Sequence, residues 1–80
     1  MRSMKKVKLV WVFSGPNAED DAKDKLLLLD ENCERNELEY FSGTEYVSHI
    51  SWLTYLIVSE EDLANNLVNL KPARIEEFED

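Results

Sequence analysis

Residues 6–13, KVKLVWVF, place Val7, Leu9, Trp11 and Phe13 on one side of an extended chain and Lys8, Val10 and Val12 on the other. Successive side chains of a strand point to opposite faces, and β-branched and aromatic residues suit a pleated surface. The stretch predicts a strand that is apolar on both sides. Residues 51–58, SWLTYLIV, repeat that character: Trp52, Leu56 and Val58 share one face, and Leu53, Tyr55 and Ile57 share the other. Between the two strands the spacing changes. Ala18, Ala22, Leu26, Leu29 and Cys33 recur at intervals of three and four, one stripe of a helix, which Leu27 and Leu28 widen.

That helix is expected over 17–35. Ser14-Gly15-Pro16 punctuates the chain ahead of it, and Asn17 is a suitable N-cap. Glu19, Asp20 and Asp21 follow in the first turn, where the helix dipole favours negative charge. Arg35 falls in the last turn, and Asn36 is suited to the left-handed stop. Residues 37–47 read as a second strand carrying Leu38, Tyr40, Tyr46 and Val47, with Ser42-Gly43 as a bulge. The rival reading, a hairpin turn at Ser42-Gly43, demands a partner strand longer than strands usually run. A turn through Ser48–Ile50 leads into the third strand. Ser59 with Asp62 three positions on resembles a capping box and opens a helix over 60–70, striped by Leu63, Leu67 and Leu70. Lys71-Pro72 ends it, and 73–78 alternates as an edge strand guarded by Arg74, Glu76 and Glu77. Residues 1–4 are expected to be either disordered or an added extension and are set aside.

The order β, α, β, β, α, β predicts a single α+β domain on the ferredoxin-like split-βαβ plan: a four-stranded antiparallel sheet with two helices on one face. In that plan the first and third strands are central, and these are the two that read apolar on both sides. The helices shield one face only. The other is expected to expose aliphatic and aromatic side chains, and large bare apolar patches are uncommon on monomers.

Size sharpens the point. An 80-residue chain buries only about 60% of its unfolded surface and is marginal without a staple. One cysteine, Cys33, forms no intrachain disulfide, and one histidine, His49, gives no metal-ligand spacing, so no metal and no cofactor is expected. Self-association is the staple that remains, and a homodimer is expected. Its interface is expected among Val10, Val12, Trp11, Trp52, Leu53, Tyr55 and Ile57.

Net charge is −8; four of the nine basic residues precede Leu9 and all 17 acidic residues follow it. Such a surface repels phosphate backbones and anionic lipid, so neither direct nucleic-acid nor membrane binding is expected. No apolar run approaches the roughly 20 residues of a membrane span. The lone cysteine and the lack of a cleavable signal pattern point to the cytoplasm.

The chemical candidates are few. His49 beside Tyr46 or Tyr55 is the one candidate catalytic group, as a general base at the mouth of the open face. Against it stands a turn histidine bonded to backbone, which no spacing to an acid contradicts. Cys33 lies on the apolar stripe near a helix C-terminus, where the dipole disfavours a thiolate, and reads as a small buried hydrophobe. Glu19, Asp20, Asp21 and Asp24 lack the spacing of a calcium loop. Ser14-Gly15-Pro16-Asn17 lacks the glycines and lysine of a phosphate loop.

The plan is similar to that of ligand-sensing regulatory domains, copper-chaperone-like domains and dimeric α+β barrel proteins. The copper chaperones carry Cys-x-x-Cys where this chain has Ser14-Gly15-Pro16-Asn17, which excludes them. The barrel group, which includes cofactor-independent monooxygenases, is similar in architecture alone and transfers no residue. Three functions follow as expectations. The first is a non-enzymatic interaction or regulatory domain that self-associates through its open face. The second is a small barrel-type enzyme with a pocket near His49. The third is an acidic protein that binds or inhibits a basic, nucleic-acid-binding partner.

Overall fold

Strand β1, Lys6–Ser14, is extended because its alternating Val, Leu, Trp and Phe side chains have apolar partners on both sides. The computed structural model describes residues 5–66 and 70–78, without the side chains of 65 and 66. After β1 come α1 (Ala18–Arg35), β2 (Phe41–Ser48), β3 (Ser51–Ser59), α2 (Glu60–Asn66) and β4 (Arg74–Phe78). The strands form one antiparallel sheet in the order β2-β3-β1-β4. The fold is therefore α+β, with β1 and β3 in the middle.

Register sorts the side chains. Val7 lies opposite Val58, Leu9 opposite Leu56, Trp11 opposite Thr54 and Phe13 opposite Trp52. This is the face the helices cover, and its buried cluster joins Val7, Leu9, Trp11, Leu56 and Val58 to Leu29 and Cys33 of α1. Leu63 of α2 and Leu70 pack against the same cluster. Thr54 donates to the Ala22 carbonyl at 2.7 Å, and Trp11 Nε1 donates to the Leu70 carbonyl at 3.2 Å. These bonds satisfy two polar groups that burial would otherwise penalise by about 1–3 kcal/mol each.

The ends of α1 differ from expectation. Asn17 precedes the helix but makes no side-chain cap hydrogen bond. Asn36 stays at φ −95°, and Glu37 takes the left-handed conformation at φ 56°. Leu38 N donates to Cys33 O at 3.0 Å and Glu37 N to Glu34 O at 3.1 Å, the paired bonds of a Schellman stop. The apolar contact of Leu38 with the cluster around Cys33 accounts for the choice. Stopping one residue later seats Leu38 on the core, which outweighs the roughly 1–2 kcal/mol penalty of a non-glycine left-handed residue.

β2 is corrected as well. It starts at Phe41 rather than 37, because the Schellman stop diverts residues 37–40. Its irregularity lies between Tyr46 and Ser48, not at Ser42-Gly43. Gly43 pairs directly with Tyr55, and its missing side chain is what the tyrosine needs: a Cβ there falls 2.7 Å from Tyr55 Oη and 2.9 Å from its Cζ. Gly43→Val is expected to cost about 1–2 kcal/mol by displacing that ring. In a Tyr55→Ala background the cost should vanish, because valine is the better strand residue. Urea melts of the four proteins of this cycle check it; equal costs in both backgrounds would refute the steric account.

The second helix opens as expected, with Asp62 N donating to Ser59 Oγ at 3.0 Å. It runs to Asn66, and by Leu70 the chain is no longer helical; the expected stripe residue Leu67 lies outside the described residues. β4 begins at Arg74, one residue inside the expected span.

Candidate functional site

Three surfaces compete as the working part of the molecule: the open sheet face, the hairpin tip that carries His49, and a groove at the other end of the sheet.

The open face holds Lys8, Val10 and Val12 of β1, Leu53, Tyr55 and Ile57 of β3, and Phe41, Gly43 and Glu45 of β2. β4 adds Arg74 and Glu76, which pair with each other. Of the expected interface residues, Val10, Val12, Leu53, Tyr55 and Ile57 are on this face. Trp11 and Trp52 are not. Both lie on the helix-covered side, Trp11 in the core and Trp52 half-buried against Tyr46, ring centroids 5.9 Å apart and nearly perpendicular. Their register with Thr54 and Phe13 fixes that side.

The open face is less bare than the pattern implied. Val10 is 0% exposed, and Leu53 and Ile57 are 8% exposed, all within a single chain. Lys8 Nζ sits 5.0 Å from the Tyr55 ring centre and Lys6 Nζ 5.8 Å from that of Phe41, so lysine stems cross the apolar strands while their charged heads stay wet. What remains uncovered is Val12 at 45% and Phe41 at 65%. The face also departs from the chain's charge balance. Lys6, Lys8 and Arg74 outnumber Glu45 and Glu76, whereas the whole chain carries −8. The acids concentrate elsewhere: exposed Glu19, Asp20, Asp21 and Asp24 open α1, and Glu31 and Glu34 close it.

Tyr46 and Tyr55, the alternative neighbours expected for His49, lie on opposite faces of the sheet. His49 stands exposed in the two-residue turn between β2 and β3. Tyr46 pairs with Trp52 on the helix side of the sheet, and Tyr55 lies on the open side.

The groove, of about 630 Å³, lies at the opposite end of β3 from His49. Leu38, Tyr40, Phe41 and Ile57 supply apolar walls, and Glu37 and Glu39 stand on its rim. It exists because residues 37–40 peel away from the sheet after the Schellman stop, while β3 continues to Ser59. The Tyr40 hydroxyl donates to Glu34 at 3.4 Å; desolvation, then the charges of Asp30 and Glu34, hold its phenol above the usual range. Reading residues 37–40 as strand concealed this groove. A left-handed glutamate leaves no mark in a sequence.

Cys33 is fully buried, and burial first, then the charges of Asp30 and Asp62, push its thiol up to about 11. It is a packing residue. Among the described residues no three His, Cys, Asp or Glu side chains gather to hold a metal ion, and no helix is long and apolar enough to cross a membrane. Comparison with family models, curated proteins and solved structures finds no match for the chain.

Proposed function

We propose that this chain is a non-enzymatic interaction or regulatory domain of ferredoxin-like architecture that self-associates, as a homodimer, through the open face of its sheet. The reading rests on one observation. β1 and β3, apolar on both sides, occupy the centre of a sheet whose α1 and α2 contacts lie on one side only. Charge supports it, because the open face is close to neutral in an acidic chain, so two copies approach there with little repulsion.

The association should be modest. Strands of nine, eight, nine and five residues, about 4.8 Å apart and rising about 3.3 Å per residue, give a face of roughly 500 Å². A standard interface needs about 800 Å² per partner. Much of the central apolar area is already out of water in one chain, so its burial contributes little more. A dissociation constant on the order of micromolar follows.

The test is sedimentation equilibrium of the wild-type chain and Val12→Asp, with circular dichroism as a check on folding. Val12 is 45% exposed, so the fold should survive the change. Wild type should dimerise with concentration, and the variant should dimerise at least about tenfold more weakly. A wild-type monomer at about 100 µM, well above the expected constant, would count against the reading.

A further inference from the structure

We infer that the groove beside the end of β3 takes a short extended segment of a basic partner protein, held by its main chain, an apolar side chain and flanking lysines or arginines. The inference goes beyond the open-face contact and does not depend on it.

The groove runs along an unfinished ladder. β3 pairs with β1 as far as Ser59, but its last partner on the β2 side is Phe41, opposite Ile57. Glu60 N donates to Lys5 O at 2.9 Å, so Glu60 turns its backbone toward β1. Successive residues of an antiparallel strand turn their N–H and C=O groups to alternate sides, so Ser59 turns its own away from β1. Ser59 lines the groove, and among the described residues no strand pairs with it on that side. Its N–H is offered to the occupant, and a carbonyl of an extended peptide is the acceptor that carries the ladder on.

Shape and charge define the side chains of that peptide. The volume of about 630 Å³ falls within the roughly 300–1,000 Å³ of ligand clefts. Leu38, Tyr40 and Ile57 wall it, which suits an apolar side chain together with the main chain that bears it. Among the described lining residues Glu37, Glu39 and Asp62 stand against a single base, Lys6. The ion pairs of the described residues engage Glu19, Glu31 and Glu76 and neutralise none of these three carboxylates. Three acids around an apolar cleft repel an acidic or phosphorylated segment and attract a basic one. A second copy suits the groove less well, because the whole chain carries −8. A small organic cation would meet the carboxylates but leave the Ser59 amide and the apolar walls unused.

The probe is the fluorescein-labelled peptide Lys-Leu-Arg-Leu-Lys, titrated into the full chain and followed by fluorescence anisotropy, with Glu-Leu-Glu-Leu-Glu as control. The basic peptide should bind, more weakly as salt is added, and the acidic one should not. Glu37→Gln combined with Glu39→Gln should weaken binding about fivefold or more. Asp20→Asn combined with Asp24→Asn makes the same charge change near the far end of α1 and should leave binding within about twofold. Amide NMR spectra should show the largest shifts at Ser59 and the other groove residues. Val12→Asp should bind the peptide at least as well as wild type, so this inference and the open-face reading fail separately. Equal weakening by the two charge variants, or shifts centred away from the groove, overturns the inference. So does a lack of binding at about 1 mM peptide. Equal competition by N-acetyl-arginine amide would put a small cation in the groove, and altered sedimentation of the Glu37→Gln, Glu39→Gln chain alone would put a second copy there; either result also overturns it.

Discussion

Replacing Leu56 by alanine should cost about 3–4 kcal/mol, the largest effect expected of any single side chain in this protein. Leu56 is fully buried, sits on the central strand β3 and faces Leu9 across the ladder, itself fully buried. Its neighbours are held by register and by α1, so the space left by the lost methyl groups cannot close. A chain of 80 residues commands only about 4–12 kcal/mol in total. The variant should therefore keep at most about three quarters of the wild-type denaturation free energy, and should unfold outright if the wild type is at the low end. Chemical denaturation at neutral pH measures this. A cost under about 1 kcal/mol would mean that the site collapses around the alanine and that the sheet is looser than its register implies.

Alkaline pH should produce the next largest change. The Cys33 thiol, ordinarily near 9.0, is pushed up to about 11 in the folded chain, chiefly by burial. A group whose folded pKa is raised contributes stability that is complete below the unfolded value and is lost as pH climbs through the folded one. The contribution is therefore intact below about pH 9 and is lost as pH climbs through about 11. Cys33→Ala removes the titrating group. Its stability should be lower near pH 8 because of the smaller side chain, yet should decline less between pH 9 and 11. The difference in slope isolates Cys33 from Tyr40, whose phenol is also raised and remains in both proteins. Parallel slopes would show that Cys33 does not hold its proton against solvent.

The sheet was legible from the sequence for a simple reason. A strand buried on both sides has no polar face, and β1 and β3 alone have that property, so their central positions follow from composition at alternating sites. The extent of α1 was legible because its stripe of Ala18, Ala22, Leu29 and Cys33 is what the helix buries. What escaped were choices settled by tertiary contact. Asn36 has the better intrinsic claim to the left-handed stop, but Leu38 reaches the core only if Glu37 takes it. Gly43 looks like a bulge signal until Tyr55 is seen lying across it. The open face was overestimated because lysines count as polar in a sequence pattern, whereas Lys6 and Lys8 lie over Phe41 and Tyr55. The candidate site fared worse. Alternation places Tyr46 and Tyr55 on opposite faces only when the register shift at Val47 is known to come after Tyr46, and that shift is a backbone event.

The position of β1 between β3 and β4 constrains how the chain comes into being. β1 leaves the ribosome well before β3 and β4, the two strands that flank it in the sheet, the later of which sets Phe78 opposite Lys6. Until then its backbone has no neighbour on either side, and its Leu9–Phe13 stretch is the kind of segment that adheres to other nascent chains. Lys5, Lys6 and Lys8 stand at the start of that stretch, where their charge holds it in solution during the wait.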